Sequence, residues 1–185
     1  PEVIETLLKY GANVNAKNDK GATALMFAAE HNQNPEVIET LIENGANIEA
    51  KKDDGGTALM IAAQENSNPE VIETLIKNGA DVNAKKDDGG TALMYAAYGN
   101  KNPEVIETLL KYGANVNAKK DDGWTALMIA ARYNENPEVI ETLLKYGANI
   151  GAKNKYGVTP LMDAAYGNKN PEIIETLLKN GANVN

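Results

Sequence analysis

Two hydrophobic patterns take turns along this chain. In one, Val37, Ile38, Leu41 and Ile42 fall at helical spacing between acidic residues, as do their counterparts further on. That spacing predicts a helix of about ten residues with an apolar stripe broad enough to pack on two neighbours. In the other, Thr-Ala-Leu-Met-x-Ala-Ala stands at 23–29, 57–63, 91–97 and 125–131, with a Pro variant at 159–165. It predicts a shorter helix with Thr as its cap, and in the last copy Pro160 takes the first helical position. The paired alanines allow this thin helix to approach its neighbours closely.

The patterns recur with a fixed period. Pro35, Pro69, Pro103, Pro137 and Pro171 follow Pro1 at steps of 34 residues. A period of this size marks a stacked-repeat architecture, in which each unit packs only on the units beside it. One unit has too few aliphatic side chains to offset the ordering of its own backbone, so stacking must supply the balance.

The ends of the longer helix carry their own signals. Asn34-Pro35-Glu36 and its four later copies place a strong N-cap before Pro, with Glu favouring the positive end of the helix dipole. Gly11, Gly45, Gly79, Gly113, Gly147 and Gly181 read as the left-handed residue that terminates a helix. After each of the first five, a polar stretch closed by Gly21, Gly55, Gly89, Gly123 or Gly157 predicts a short extended arm with a tight turn at its tip. Thin helices beside thick ones should curve the stack, giving a concave face of thin helices and arm tips.

These residues resemble ankyrin repeats. The family signature Thr-Pro-Leu-His-x-Ala-Ala is approached by Thr159-Pro160-Leu161-Met162-Asp163-Ala164-Ala165. Its helix ending is approached by Leu75-Ile76-Lys77-Asn78-Gly79-Ala80-Asp81-Val82-Asn83. The resemblance covers essentially the whole chain. It implies an all-α solenoid of helix-turn-helix units with short β-hairpin arms, curved as a stack. Two features depart from the family pattern. One extra residue sits within Asn-x-Asn-Pro, and the signature His is Met at 26, 60, 94, 128 and 162, where it reads as a pliable apolar filler. Tetratricopeptide repeats share the 34-residue period but lack the Gly-Ala-Asn-Val-Asn arm. The units fall at 1–18 (partial), 19–52, 53–86, 87–120, 121–154 and 155–185, taken as a single array. The chain starts at a longer helix and stops inside an arm, so a longer parent chain is expected.

Function should lie where the copies differ. Variation falls on arm tips and on the thin helices, the positions that touch partners in ankyrin proteins. Drift at exposed sites accounts for Gln33, Ser67, Lys101, Glu135 and Lys169. It accounts less well for aromatic residues, which interface hot spots favour together with Arg. The candidate partner-binding residues are therefore Phe27, Tyr95, Tyr98, Asp122, Trp124, Ile129, Arg132, Tyr133, Tyr156 and Tyr166, centred on Tyr95, Tyr98, Trp124, Arg132 and Tyr133. Tyr10, Tyr112 and Tyr146, just before the helix-ending glycines, fit either packing or contact.

Composition narrows the function classes. The formal net charge is -8, and the Lys-Lys pairs at 51–52, 85–86 and 119–120 each run into Asp-Asp, so no basic face is available for nucleic acid. The Asp-Asp-Gly tips lack the alternating oxygen ligands of a calcium loop and read as solvated turns. There is no Cys, and His31 is the only His, which leaves no material for thiolate or His-based metal sites or triads. Neither a membrane-length apolar run nor a leader is seen, although a chain without an initiator Met is compatible with a removed segment. The expectation is a soluble, cytoplasmic, non-catalytic scaffold that binds a protein on its concave face, with no cofactor and no metal. It is expected to be a monomer, with end-to-end contacts open through its uncapped termini. The regularity of the copies fits an engineered or consensus scaffold as well as recent duplication, and the aromatic cluster also admits a small-ligand site.

Overall fold

The computed structural model of the chain describes residues 1–184; the last residue of the 155–185 unit lies outside them. Among the described residues there are eleven helices and no strand. Helix α1 spans Glu2–Lys9, and five pairs follow. These are α2 (Ala24–His31) with α3 (Pro35–Glu43), α4 (Ala58–Glu65) with α5 (Pro69–Lys77), and α6 (Ala92–Gly99) with α7 (Pro103–Lys111). Then come α8 (Ala126–Tyr133) with α9 (Pro137–Lys145), and α10 (Pro160–Gly167) with α11 (Pro171–Lys179). The thin helices have eight residues and the thick ones of the pairs nine.

The thick helices start and stop where their sequence signals stand. Asn34, Asn68, Asn102, Asn136 and Asn170 each accept a bond from the backbone N–H two residues on, with Pro at the first helical position. At the other end, the Gly45 N–H donates to the Ile42 carbonyl and the Ala46 N–H to the Leu41 carbonyl, both at 2.9 Å. This is the Schellman arrangement, and it requires the left-handed φ of 87° that Gly45 adopts. The thin helices are capped less uniformly. The hydroxyls of Thr57, Thr125 and Thr159 accept from Met60, Met128 and Met162. Those of Thr23 and Thr91 are buried without a partner among the described residues, and there the Thr backbone carbonyl takes the Met26 or Met94 N–H instead.

Thin helices pack on thin, thick on thick, and each thin helix on its own thick partner. The thin ones lie much closer together, because Ala62, Ala63, Ala96, Ala97, Ala130 and Ala131 are fully buried between them and present only a methyl group. The thick helices are held apart by Val71, Ile72, Leu75 and their equivalents, also fully buried. A stack spaced more closely on one side bends toward that side, which makes the thin-helix face the inner one. Met26, Met60, Met94 and Met128 sit in the core as apolar filler, whereas Met162 is exposed.

The arms differ from expectation. Ala50 N–H donates to the Asn47 carbonyl, so the residues after the thick helix form a turn and not an extended strand. Beyond it two bonds close the arm tip, from Lys52 N–H to the Gly56 carbonyl and from Gly55 N–H to the Lys52 carbonyl, and a strand ladder needs more than a closed turn. One backbone bond also reaches the preceding arm: Asp53 N–H donates to the Lys20 carbonyl, Asp121 to Asp88 and Lys155 to Asp122. The arms are stacked turns, each closed by its own backbone bonds and tied to its neighbour by one more.

The Asn-x-Asn-Pro segment joins one repeat to the next. The buried Asn100 amide donates to the Ala63 carbonyl (3.0 Å) and the Asn66 carbonyl (2.8 Å), while its oxygen accepts from Asn102 N–H. Asn102 in turn donates to the Ser67 carbonyl at 2.8 Å. Asn66, Asn134 and Asn168 repeat the same set. A second row runs through the arms, where Asn15, Asn83 and Asn117 donate to the helix-ending glycine of the next unit and accept from its arm. Glu49 keeps only the accepting half of this row. Asn100→Ala would leave two carbonyls and an N–H without partners, and is expected to cost about 1–3 kcal/mol. Lys101→Ala, beside it, gives up an exposed side chain and should stay within about 0.5 kcal/mol. Thermal or urea unfolding of both variants checks the contrast.

Candidate functional site

A cleft of about 440 Å³ opens on the inner face between the repeats of α6 and α8. Its walls carry Tyr95 and Tyr98 from α6, Ile129 and Tyr133 from α8, and Asp122 and Trp124 from the arm tip between them. The Tyr98 and Tyr133 rings meet at 5.1 Å in a tilted contact, and Trp124 stacks on Tyr133 at 6.4 Å. These positions converge because each repeat supplies the same few sites, one turn of α-helix and one arm tip, and stacking brings adjacent sets side by side.

Arg132 holds the far side of this cluster. Its guanidinium lies over Trp124 at 5.5 Å, Tyr133 at 5.3 Å and Tyr166 at 4.5 Å. It also reaches Asp163 of α10 at 3.5 Å. Gly167 leaves the room it needs, since a Cβ there would come within 3.0 Å of the arginine stem. Gly90 does the same for Tyr95, whose ring would lie 3.3 Å from an added Cβ.

Asp163 is buried, and its Oδ2 has no partner among the described residues. Burial pushes its carboxyl above the ordinary carboxylate range, with Arg132 pulling the other way. Along the arm tips runs a row of ion pairs of opposite character. Lys86 meets Asp54 at 2.9 Å and Lys120 meets Asp88 at 2.7 Å. Those lysine bonds hold Asp54 and Asp88 below the ordinary range.

The other candidates are spread along the inner face. Phe27, half-exposed, sits on α2 two repeats away from the cleft. Tyr156 is 80% exposed at the last arm tip, and Tyr166 reaches the cluster only through Arg132. Ile129 is largely buried and contributes a floor rather than a free side chain. Comparison of the copies marks Asp163 as a variable surface position, yet its side chain is in the interior. Gln64, Gly90, Met94 and Lys120 also line the cleft. Gln64, Gly90 and Lys120 stand at positions that vary between the copies, whereas Met94 stands at one that does not. Tyr112 and Tyr146 bond to the preceding thick helix, at Glu73 (2.6 Å) and Glu107 (3.3 Å), and so serve stacking. Tyr10, on α1, is exposed. His31 lies on the surface 3.5 Å from Glu30. Among the described residues no group of three or more His, Cys, Asp or Glu is placed to hold a metal, and no helix is long and apolar enough to cross a membrane.

Three overlapping segments, residues 1–86, 59–154 and 93–185, match the family described as Ankyrin repeats (3 copies). The two-helix units, their stacking and this match together place the chain in the ankyrin-repeat family. Comparison with curated proteins gives no match. Ankyrin repeats are in general protein–protein interaction modules, so the class is defined while the partner is not.

The two kinds of carboxylate predict opposite pH responses. Asp163, raised by burial, costs stability while ionised, and that cost is relieved as the pH falls through its folded value. Asp54 and Asp88, lowered by their lysines, contribute stability above their unfolded values and lose it as the pH falls through their folded ones. Asp163→Asn is therefore expected to flatten the dependence of melting temperature on pH above about pH 4, and Asp88→Asn to flatten it below. Thermal melts of the two variants across the acid range read this directly.

Proposed function

We propose that the chain is a non-catalytic scaffold, a single array over residues 1–185, that holds a protein partner on its inner face. The cleft of Tyr95, Tyr98, Trp124 and Tyr133 is the centre of that contact. One observation carries the reading: Tyr95, Tyr98, Trp124 and Tyr133, all at positions that differ between the copies, meet in one cleft, while the invariant asparagines between the helices are consumed in capping and stacking. Half-exposed aromatic side chains, pre-positioned by their neighbours, lose little freedom on binding, which is how interface anchors gain their affinity. The acidic balance of the surface and the pairing of its lysines disfavour nucleic acid as the partner.

A second reading has one observation behind it. The cleft volume falls within the range of small-molecule sites, about 300–1,000 Å³. It is open and its rim is charged, which fits a side chain arriving from a larger surface better than an enclosed ligand.

Tyr98 and Tyr133 are 50% and 48% exposed, so truncation of either should leave unfolding nearly unchanged. Trp124→Ala and Tyr98→Ala are each expected to weaken retention of a protein captured by the unaltered chain by about 2 kcal/mol or more. Glu104→Ala, on the thick-helix side, should not alter it. Retention that survives both aromatic substitutions, or a loss matched by equal unfolding, would make those residues structural. A small molecule that raises the melting temperature when no protein is retained would support the second reading.

A further inference from the structure

The row of ion pairs along the arm tips stops one step short. Each lysine in it answers the aspartate of the arm before: Lys86 to Asp54 and Lys120 to Asp88. In the next arm Asn154 stands where the lysine would be, and its side chain is spent on the turn, accepting from Tyr156 and Val158 N–H. Asp122 is therefore left without an ion pair among the described residues. It is half-buried and keeps one oxygen on the Trp124 N–H at 3.2 Å. Lys120 lies within its field but is already bonded to Asp88. Of Asp54, Asp88 and Asp122, the first two are ion-paired, and the third, which has no ion pair among the described residues, lines the aromatic cleft.

The walls suit a cation as well. Aromatic faces attract cations through their quadrupole, and a guanidinium adds planar stacking. The molecule already uses its own rings in this way, with Arg132 over Trp124, Tyr133 and Tyr166 and Lys86 over Tyr95 at 5.4 Å. The chain as a whole carries a formal charge of -8, so a basic segment is drawn toward it and an acidic one repelled.

We propose that the cleft receives an arginine side chain from a basic segment of the protein partner, with Asp122 as its counter-ion and the rings of Tyr95, Tyr98, Trp124 and Tyr133 as its walls. This rests on the reading of the cleft as the partner site and specifies the chemistry of what enters it. It assigns Asp122 the role that Lys86 and Lys120 leave unfilled: an acceptor whose cation comes from outside.

The test uses the full chain, in which Trp124 is the only tryptophan and so reports on this cleft alone. The probes are blocked pentapeptides Gly-Ala-X-Ala-Gly, with X as arginine, as citrulline of the same shape without charge, or as glutamate. The arginine peptide should shift Trp124 fluorescence saturably, and the citrulline peptide should bind about tenfold more weakly or worse. The glutamate peptide should not bind. Added salt should weaken the arginine peptide, and Asp122→Asn should weaken it by about tenfold while the melting temperature holds within about 2 °C. Equal binding of arginine and citrulline, preference for glutamate, indifference to Asp122→Asn or no saturable shift would each overturn the inference. Should Asp122→Asn unfold the chain, Lys155→Glu is the second variant: it replaces a cation with an anion on the residue whose N–H bonds the Asp122 carbonyl, and must tighten the arginine peptide. If these peptides fail while Tyr98→Ala still abolishes retention of a protein, the basic-segment inference falls and the scaffold reading stands.

Discussion

The fold depends on the asparagine pair that bridges successive units. Asn100 satisfies two carbonyls of the preceding repeat through its amide and orients Asn102 through its oxygen. Asn102 caps its own thick helix and donates to the preceding loop. A repeat with so small a core cannot fix its place by hydrophobic contact alone, because aliphatic packing is non-directional. Directional bonds from buried amides supply the register, and they are costly to leave unmade. The same bonds account for the extra residue between the helices, which provides a carbonyl for the amide of the next unit.

That division of labour separates framework from message. The bridging amides take only main-chain oxygens from Gln33, Ser67, Lys101 and Glu135, so those side chains are free to differ. The inner face is free in another way. Its thin helices are set close by buried alanines, and whatever stands one position outward is brought beside its counterpart in the next repeat. Variation there accumulates into a surface, and around α6 and α8 that surface is aromatic. Glycines at 90 and 167 belong to the same design, since they clear space for Tyr95 and Arg132.

Much of the fold was legible in the chain itself. The 34-residue step, the Asn-Pro starts and the glycine stops located the thick helices closely, because caps and left-handed residues act within a few positions. The arms are turns and not strands: alternation of polar and apolar residues resembles a strand, but the backbone bonds there close local turns, with one more to the adjacent arm. Thr caps were uneven for a related reason, with Thr23 and Thr91 leaving the Met N–H to the backbone. At the site, Tyr98, Trp124 and Tyr133 could be named from their variation among copies. That Asp163 is buried under Arg132, or that Phe27 stands apart from the cleft, depends on distances between repeats.

The sequence alone determined the unit, its repeat length, its helix boundaries and the positions open to change, since each is set by interactions within a few residues. Only the tertiary structure decided which of those positions meet. It gathered Tyr95, Tyr98, Trp124 and Tyr133 into one cleft, turned Asp163 inward, and left Asp122 without an ion pair among the described residues, with Asn154 standing where Lys86 and Lys120 stand in the earlier arms. These outcomes join residues about one repeat apart, and nothing local to either residue specifies them. The spacing and rotation of one unit on the next do so, through the close contact of alanine-lined helices and the reach of buried asparagine amides.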